Sequence, residues 1–400
     1  MLNVVTTKIS LAIVVPELLP VPPVKGGAVE HWVHEVSKRL DQDKFNTTIV
    51  SRPANAVGSA GVSYIGINWT KTEQFFHDLK EKVTWRNPLR YLAKIQNVSS
   101  YGLRMAKHVR HFDVVVIHNE PNLLLFMRKM PQQKIFLHMH NEHLCIKLFR
   151  PFYRHALKKV NTIICVSDYI RRASIQHFPE FADKFTVVFN ATDPEVFKPY
   201  GCEAITQLKD VLAIEPGKTY LLYVGRLTEL KGVHILIKAF EQIHAKRPNT
   251  RLVIAGSSFF GGAAKTTYEQ SLVELAKSVS QSIIFTGYIA HEKLKYLYSA
   301  VDLVILPSVW QDPCPLVVLE ALASGTCLLA TNVGGVPEVL EHKVVGELVP
   351  AADANALSNA VKTILANPQQ KAKMEQAGRQ KMIEHYAWPR LVAELEALFS

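Results

Sequence analysis

Three stretches of this sequence hold residues whose types and spacing could do chemistry. In LLYVGRLTELKGVHILIKAF, residues 221–240, an apolar run ends at Gly225, and Arg226 and Lys231 precede a helical stripe. A guanidinium forks onto two phosphate oxygens and an ammonium adds a compact charge, so this pair suits a diphosphate. In SVWQDPCPLVVLEALASG, residues 308–325, Asp312 stands ahead of a helix expected to start at Pro315, with Glu320 in its second turn. The first N–H groups of such a helix, those of Leu316 and Val317, point at an anion, while the carboxylates can accept from ligand hydroxyls. The third stretch, Pro22-Pro23-Val24-Lys25-Gly26-Gly27, joins an apolar strand to a helix. Gly26 and Gly27 would let backbone N–H groups approach a phosphate at a positive helix end. It lacks G-x-G-x-x-G, which weakens a dinucleotide reading. Each stretch also has a plain reading: solvated cations, a turn former and exposed helix residue, a flexible connection. Together they describe a nucleotide-sugar site.

The histidines form a further constellation. LHMHNEH, residues 137–143, contains His138, His140 and His143. Strand periodicity puts His138 and His140 on one face, so bidentate metal binding is conceivable. Glu142 is the one acidic neighbour, so no metal site is expected. His118-Asn119-Glu120 closes another strand and is a candidate acceptor contact. For each histidine, a hydrogen-bonded structural role is the alternative. The single D-x-D, Asp41-Gln42-Asp43, follows a helix and reads as a solvated turn.

The elements that must position these residues follow from periodicity. Strands are expected at 9–15, 47–50, 113–117, 134–139, 162–166, 185–189, 220–224, 251–255, 283–285, 302–306, 327–330 and 347–349, with helical stripes such as Val29, Trp32, Val33, Val36 and Leu40 between them. Strands alternating with helices imply two parallel-sheet α/β units. Four hundred residues exceed one compact core. The expected domains are 1–195 and 196–386, with a last helix in 387–400 returning to the first. At 48% apolar and 20% charged the chain is not disordered. No uncharged apolar run is long enough to span a bilayer. The N-terminus carries only Lys8 ahead of its apolar run and no small-x-small site, so Ile9–Pro16 reads as a first strand rather than a signal peptide. Five widely spaced cysteines without C-x-x-C suit buried thiols in a reducing cytoplasm.

The formal net charge of +11 is unevenly placed. Residues 1–195 hold 26 Lys and Arg against 16 Asp and Glu, whereas 196–400 are nearly balanced. Residues 71–111 interleave nine basic residues with Phe75, Phe76, Trp85, Tyr91 and Tyr101, and residues 144–172 carry seven basic and one acidic. Such stretches suit an anionic bilayer surface, nucleic acid, or an ordinary solvated face. No known nucleic-acid reader motif accompanies them.

The order of motifs resembles glycosyltransferase family 4, retaining enzymes of the GT-B fold. The resemblance rests on Gly26-Gly27, SDYIRR (167–172), VVFNATDPEVFKP (187–199), YVGRLTELKG (223–232), FTGYI (285–289) and the run from Asp312 to Glu338. Asp312 and Glu320 take the places of the family's two spaced glutamates, with Asp for the first, and Asn190-Ala191-Thr192-Asp193 stands for its N-G-V-D. The resemblance implies two Rossmann-like parallel-sheet domains facing across a cleft. Arg226 and Lys231 would hold the donor diphosphate, Glu320 the ribose and Asp312 the transferred sugar. Leu316 and Val317 would offer backbone N–H groups, Tyr288 would lie along the base, and His140 would face the donor sugar. No metal or other cofactor is implied, and the donor is a nucleoside-diphosphate sugar, most often of UDP. The charge placement adds an anionic glycan or glycolipid acceptor, such as lipopolysaccharide core, and a peripheral membrane contact through the first domain, in the cytoplasm at the inner membrane face. A nucleotide-sugar epimerase or phosphorylase on the same fold, and a basic nucleic-acid-binding protein, are the alternatives.

Overall fold

The computed structural model describes residues 7–23, 27–54, 58–82, 88–257 and 266–400. It divides into one unit of residues up to Val188 plus Val392–Ser400, and a second of Phe189–Leu391. The division falls slightly before the expected 195/196, because the NATD segment already belongs to the second unit: Thr192 N–H donates to Tyr386 O at 2.8 Å.

The first unit is a parallel sheet of β1 (Ile9–Val14), β2 (Phe45–Ser51), β3 (Val62–Gly66), β4 (Val114–His118), β5 (Lys134–Met139), β6 (Thr162–Cys165) and β7 (Phe185–Val187), in the order β3-β2-β1-β4-β5-β6-β7. Strand β3 is not expected from the sequence: it is a half-buried edge strand, so its residues show no apolar run. The second unit contains β8 (Thr219–Val224), β9 (Thr250–Ala255), β10 (Ile283–Gly287), β11 (Leu303–Leu306), β12 (Leu328–Thr331) and β13 (Glu347–Val349), in the order β10-β9-β8-β11-β12-β13.

Two-sided burial explains the apolar runs. In the second unit Leu222, Val253, Val304 and Leu328 enter one core, while Leu221, Leu252, Leu303 and Leu329 enter the other. Alternation sends successive side chains to opposite faces, and helices cover both. In each sheet the strand order reverses beside its first strand, at β1/β4 and at β8/β11. Open α/β sheets bind ligands at such switch points, outside the C-terminal ends of the strands.

The final helix, Trp388–Phe399, places its last residues in the first unit. Phe399 is buried there, its ring 5.1 Å from Phe136 and 6.5 Å from Phe45. Asp41 N–H donates to Glu396 Oε1 at 2.8 Å, and Lys134 Nζ to Ser400 O at 2.8 Å. Phe399→Ala should therefore cost the first unit about 3 kcal/mol, the usual loss for truncating a buried aromatic. Urea unfolding followed by hydrogen exchange at β1, β2 and β5 measures this; unchanged protection there contradicts the packing role.

Candidate active site

At the switch point of the second unit, β8 leads into Gly225 and Arg226, and β11 leads into the turn holding Asp312. Two close backbone approaches bring these ends together. Gly232, in the left-handed region at φ 71°, precedes the helix Val233–His244, and a Cβ there would lie 1.9 Å from Pro307 O. Gly334, at φ 56°, lies against Asp312, where a Cβ would come within 2.1 Å of the Asp312 carbonyl. Val309 N–H donates to Leu230 O at 3.0 Å, and Gly335 N–H to Asp312 O at 2.9 Å.

The result is an ion pair between Lys231 Nζ and Asp312, with side chains only 15% and 7% exposed. Lys231 Nζ also stands 5.4 Å from the centre of the Trp310 ring, a cation–π placement. Arg226 is exposed, and its carbonyl accepts from Tyr223 OH at 2.8 Å. The two cations thus differ: Lys231 is fixed by a carboxylate, and Arg226 reaches outward. The sequence assigns Lys231 and Asp312 to separate tasks and does not reveal their pairing.

Glu320 is not the exposed helix residue that its position alone allows. It is 6% exposed, with Oε1 2.9 Å from His291 Nε2 and Oε2 accepting from Tyr298 OH at 2.9 Å. Burial and the adjacent carboxylate raise the Tyr298 hydroxyl well above its ordinary pKa, so it stays a donor. His291 and Tyr298, both from the helix His291–Ser299 after β10, are site residues the sequence reading missed. Their spacing of seven, on one face of a helix, was the available signal.

The helix bearing Glu320 runs Leu316–Ala323. Pro315 is its cap, with ψ 126°, rather than its first residue, so the leading N–H groups are those of Leu316 and Val317 as expected. Tyr288, half exposed, follows Gly287, whose carbonyl accepts from Gly256 N–H at 2.8 Å. Asn190 Nδ2 donates to Cys314 O at 3.2 Å, tying the NATD segment to the Asp312 turn. Cys165, Cys314 and Cys327 are buried, as expected; Cys145 is half-buried and Cys202 exposed.

In the first unit, Gly26 lies outside the described residues. Gly27, at φ 110°, precedes the helix Ala28–Ser37 and accepts from His31 N–H at 2.9 Å. Asp43 is solvated and Asp41 caps its own turn, the solvated turn expected of that D-x-D. The histidines group differently from their sequence spacing. His118 and His138, paired in register across β4 and β5, sit beside His140, with His118 Nδ1 2.9 Å from His140 Nε2. Burial holds all three below the ordinary imidazole range, His140 at about 3, so they are neutral at physiological pH. His143 stands apart, with Nδ1 2.7 Å from Asn119 O. Asn119 itself takes φ 58°, a conformation asparagine tolerates, and accepts from His140 N–H at 2.9 Å.

The chain divides between two described families. Residues 26–196 match Glycosyltransferase Family 4, and residues 204–381 match Glycosyl transferases group 1. Bacillus subtilis YtcC, a protein assigned to the glycosyltransferases, is 30% identical over 88% of this chain and 83% of its own length. The lipopolysaccharide 1,2-N-acetylglucosaminetransferase of Salmonella typhimurium is 26% identical over 96% of both chains. Among solved structures, Anabaena HepE in complex with UDP superposes with a TM-score of 0.75 at 18% identity, over 98% of this chain and 99% of that one. With both halves matched and the two parallel sheets in place, this chain belongs to the family 4 glycosyltransferases of the GT-B fold.

Proposed function

We propose that this glycosyltransferase moves a hexosyl or N-acetylhexosaminyl group, with retention, from a UDP-sugar to a hydroxyl of an anionic envelope glycan or glycolipid such as lipopolysaccharide core. The observation that carries the donor half is the buried Lys231–Asp312 pair beside Arg226 at the β8/β11 switch point. A cation already held by a carboxylate needs no reorganisation when a diphosphate arrives, and preorganised charge of this kind does most to stabilise a leaving group. Arg226 and Lys231 take the diphosphate oxygens in place of a divalent ion, and the leading N–H groups of Leu316 and Val317 add to them. Glu320, oriented by His291 and Tyr298, accepts from the ribose hydroxyls. Asp312 contacts the transferred sugar and Tyr288 lies along the base. In the first unit, Gly27 and the neutral imidazole of His140 are the residues assigned to ligand binding. The acceptor attacks on the face the nucleotide leaves, and the departing diphosphate takes its proton. HepE holds UDP, which supports the choice of base, and the Salmonella relative works on lipopolysaccharide, which supports the acceptor class.

The acceptor half rests on charge and on one exposed surface of the first unit. No described helix is long and apolar enough to cross a membrane. The helix Arg150–Leu157 buries Tyr153, Ala156 and Leu157, whereas Phe152 and the preceding Leu148 are 57% and 78% exposed among exposed Lys147, Arg154 and Lys158. Large exposed apolar side chains in a stretch that also exposes cations suit shallow insertion into an anionic interface. The other basic stretch, 71–111, lies partly outside the described residues.

Three outcomes test this reading. Arg226→Ala, at an exposed position, should lower kcat by about 10²–10³ with Tm unchanged. Lys231→Ala should lower both kcat and Tm, since it leaves Asp312 buried and unpaired; adding Asp312→Asn should recover Tm but not turnover. Near-normal turnover in both single variants would sink the mechanism. In a thermal-shift panel of nucleotide sugars, UDP and UDP-sugars should raise Tm, and Glu320→Gln should weaken UDP more than it weakens pyrophosphate. A larger shift with a GDP- or ADP-sugar reassigns the donor. Leu148→Glu with Phe152→Glu should cut binding to phosphatidylglycerol vesicles by about tenfold or more while the UDP shift persists; equal vesicle binding removes the membrane contact.

A further inference from the structure

Three imidazoles converge at the C-terminal ends of β4 and β5. His118 and His138 are register partners in adjacent strands, and His140 follows His138 by two residues, so strand alternation sends all three to one face. One ring nitrogen from each lies within 4.8 Å of those of the other two. His138 is fully buried, yet neither of its ring nitrogens has a hydrogen-bond partner. Trp32, from the helix Ala28–Ser37, closes over the cluster with ring centres 4.7–5.4 Å from all three imidazoles, and its buried Nε1 is also unpartnered. Buried polar atoms are ordinarily satisfied, so a fully buried imidazole with two idle nitrogens calls for a ligand.

We propose that His118, His138 and His140 form a binding site for one divalent transition-metal ion of imidazole preference, zinc foremost. Zinc–imidazole bonds of 2.0–2.1 Å in a tetrahedron set ligand nitrogens ~3.3 Å apart. The His118–His140 separation of 2.9 Å is close to that value, and a ring nitrogen of His138 lies within 4.8 Å of both. The backbone that carries the rings is held in place: the Asn119 side chain accepts from His140 N–H, and Asn119 N–H donates to His138 O at 2.8 Å. His140 is half-buried where the other two are buried, which gives an ion its way in. Three neutral nitrogens leave a fourth position for water or a substrate oxygen. The sequence alone places only His138 and His140 on one face, with no metal expected; the β4–β5 register adds His118 to them, while His143 lies against Asn119. The proposal needs only the first unit; a bound ion would take the His140 nitrogen otherwise offered to substrate, whereas the roles of Arg226, Lys231, Asp312 and Glu320 do not depend on it.

The test uses the full chain without a histidine tag, stripped with chelator and dialysed. Titration with Zn²⁺, read by calorimetry and by elemental analysis after gel filtration, should give one retained equivalent. Co²⁺ should give visible bands of a tetrahedral nitrogen site. His138→Ala and His140→Gln, each checked for fold by circular dichroism, should weaken Zn²⁺ binding by about 100-fold or more, whereas His143→Gln should keep one equivalent. Two results overturn the site: stoichiometric zinc that never binds to the wild-type chain, or folded His140→Gln protein that retains it with unchanged affinity.

Discussion

A parallel sheet covered on both faces gives most of its length to apolar side chains, and this constraint governs where chemistry can occur in the molecule. The successive residues of β8, β9, β11 and β12 are consumed by two apolar cores, one per face. Functional groups can appear only where strands stop. Arg226 and Lys231 follow the end of β8, Asp312 follows β11, and the histidine cluster closes β4 and β5. Reversal of strand order then selects which ends lie side by side, so the topology, more than any single motif, assembles the candidate sites.

The two carboxylates of the second unit show how burial is made tolerable in different ways. Asp312 is matched by a full charge, Lys231, which itself rests beside the Trp310 ring. Glu320 is matched by hydrogen bonds from Tyr298 and His291. A charge-matched acid orients a cation for an incoming anion. A hydrogen-bonded acid keeps its negative charge available to hydroxyl donors. These two environments suit the two ends of a nucleotide sugar, and they arise within one strand–loop–helix segment.

Much of this was legible in the sequence. Fully buried strands advertise themselves as apolar runs, so β1, β4, β5, β8 and β11 were expected within a residue or two. Edge strand β3 was not, because a half-buried strand of mixed residues carries little signal. Arg226, Lys231, Asp312 and Glu320 stood out by type and by position at strand-to-helix turns. Their partners did not. The Lys231–Asp312 pair joins residues from two different strand ends, and the Glu320–Tyr298 contact depends on how one helix packs on another. His118 could be placed beside His138 only once the β4–β5 register was known. Local patterns reveal elements and local chemistry, whereas pairings across crossover connections are set by topology.

The place of the last nine residues bears on how the chain can be made. Val392–Ser400 completes the first unit, with Phe399 filling its core, although the whole second unit is synthesised in between. Until residues 392–400 have been made, the first unit lacks that buried ring and exposes the apolar surface that will receive it. The first unit therefore completes its core only after the second unit has been synthesised, a departure from the N-to-C order in which domains usually fold during synthesis.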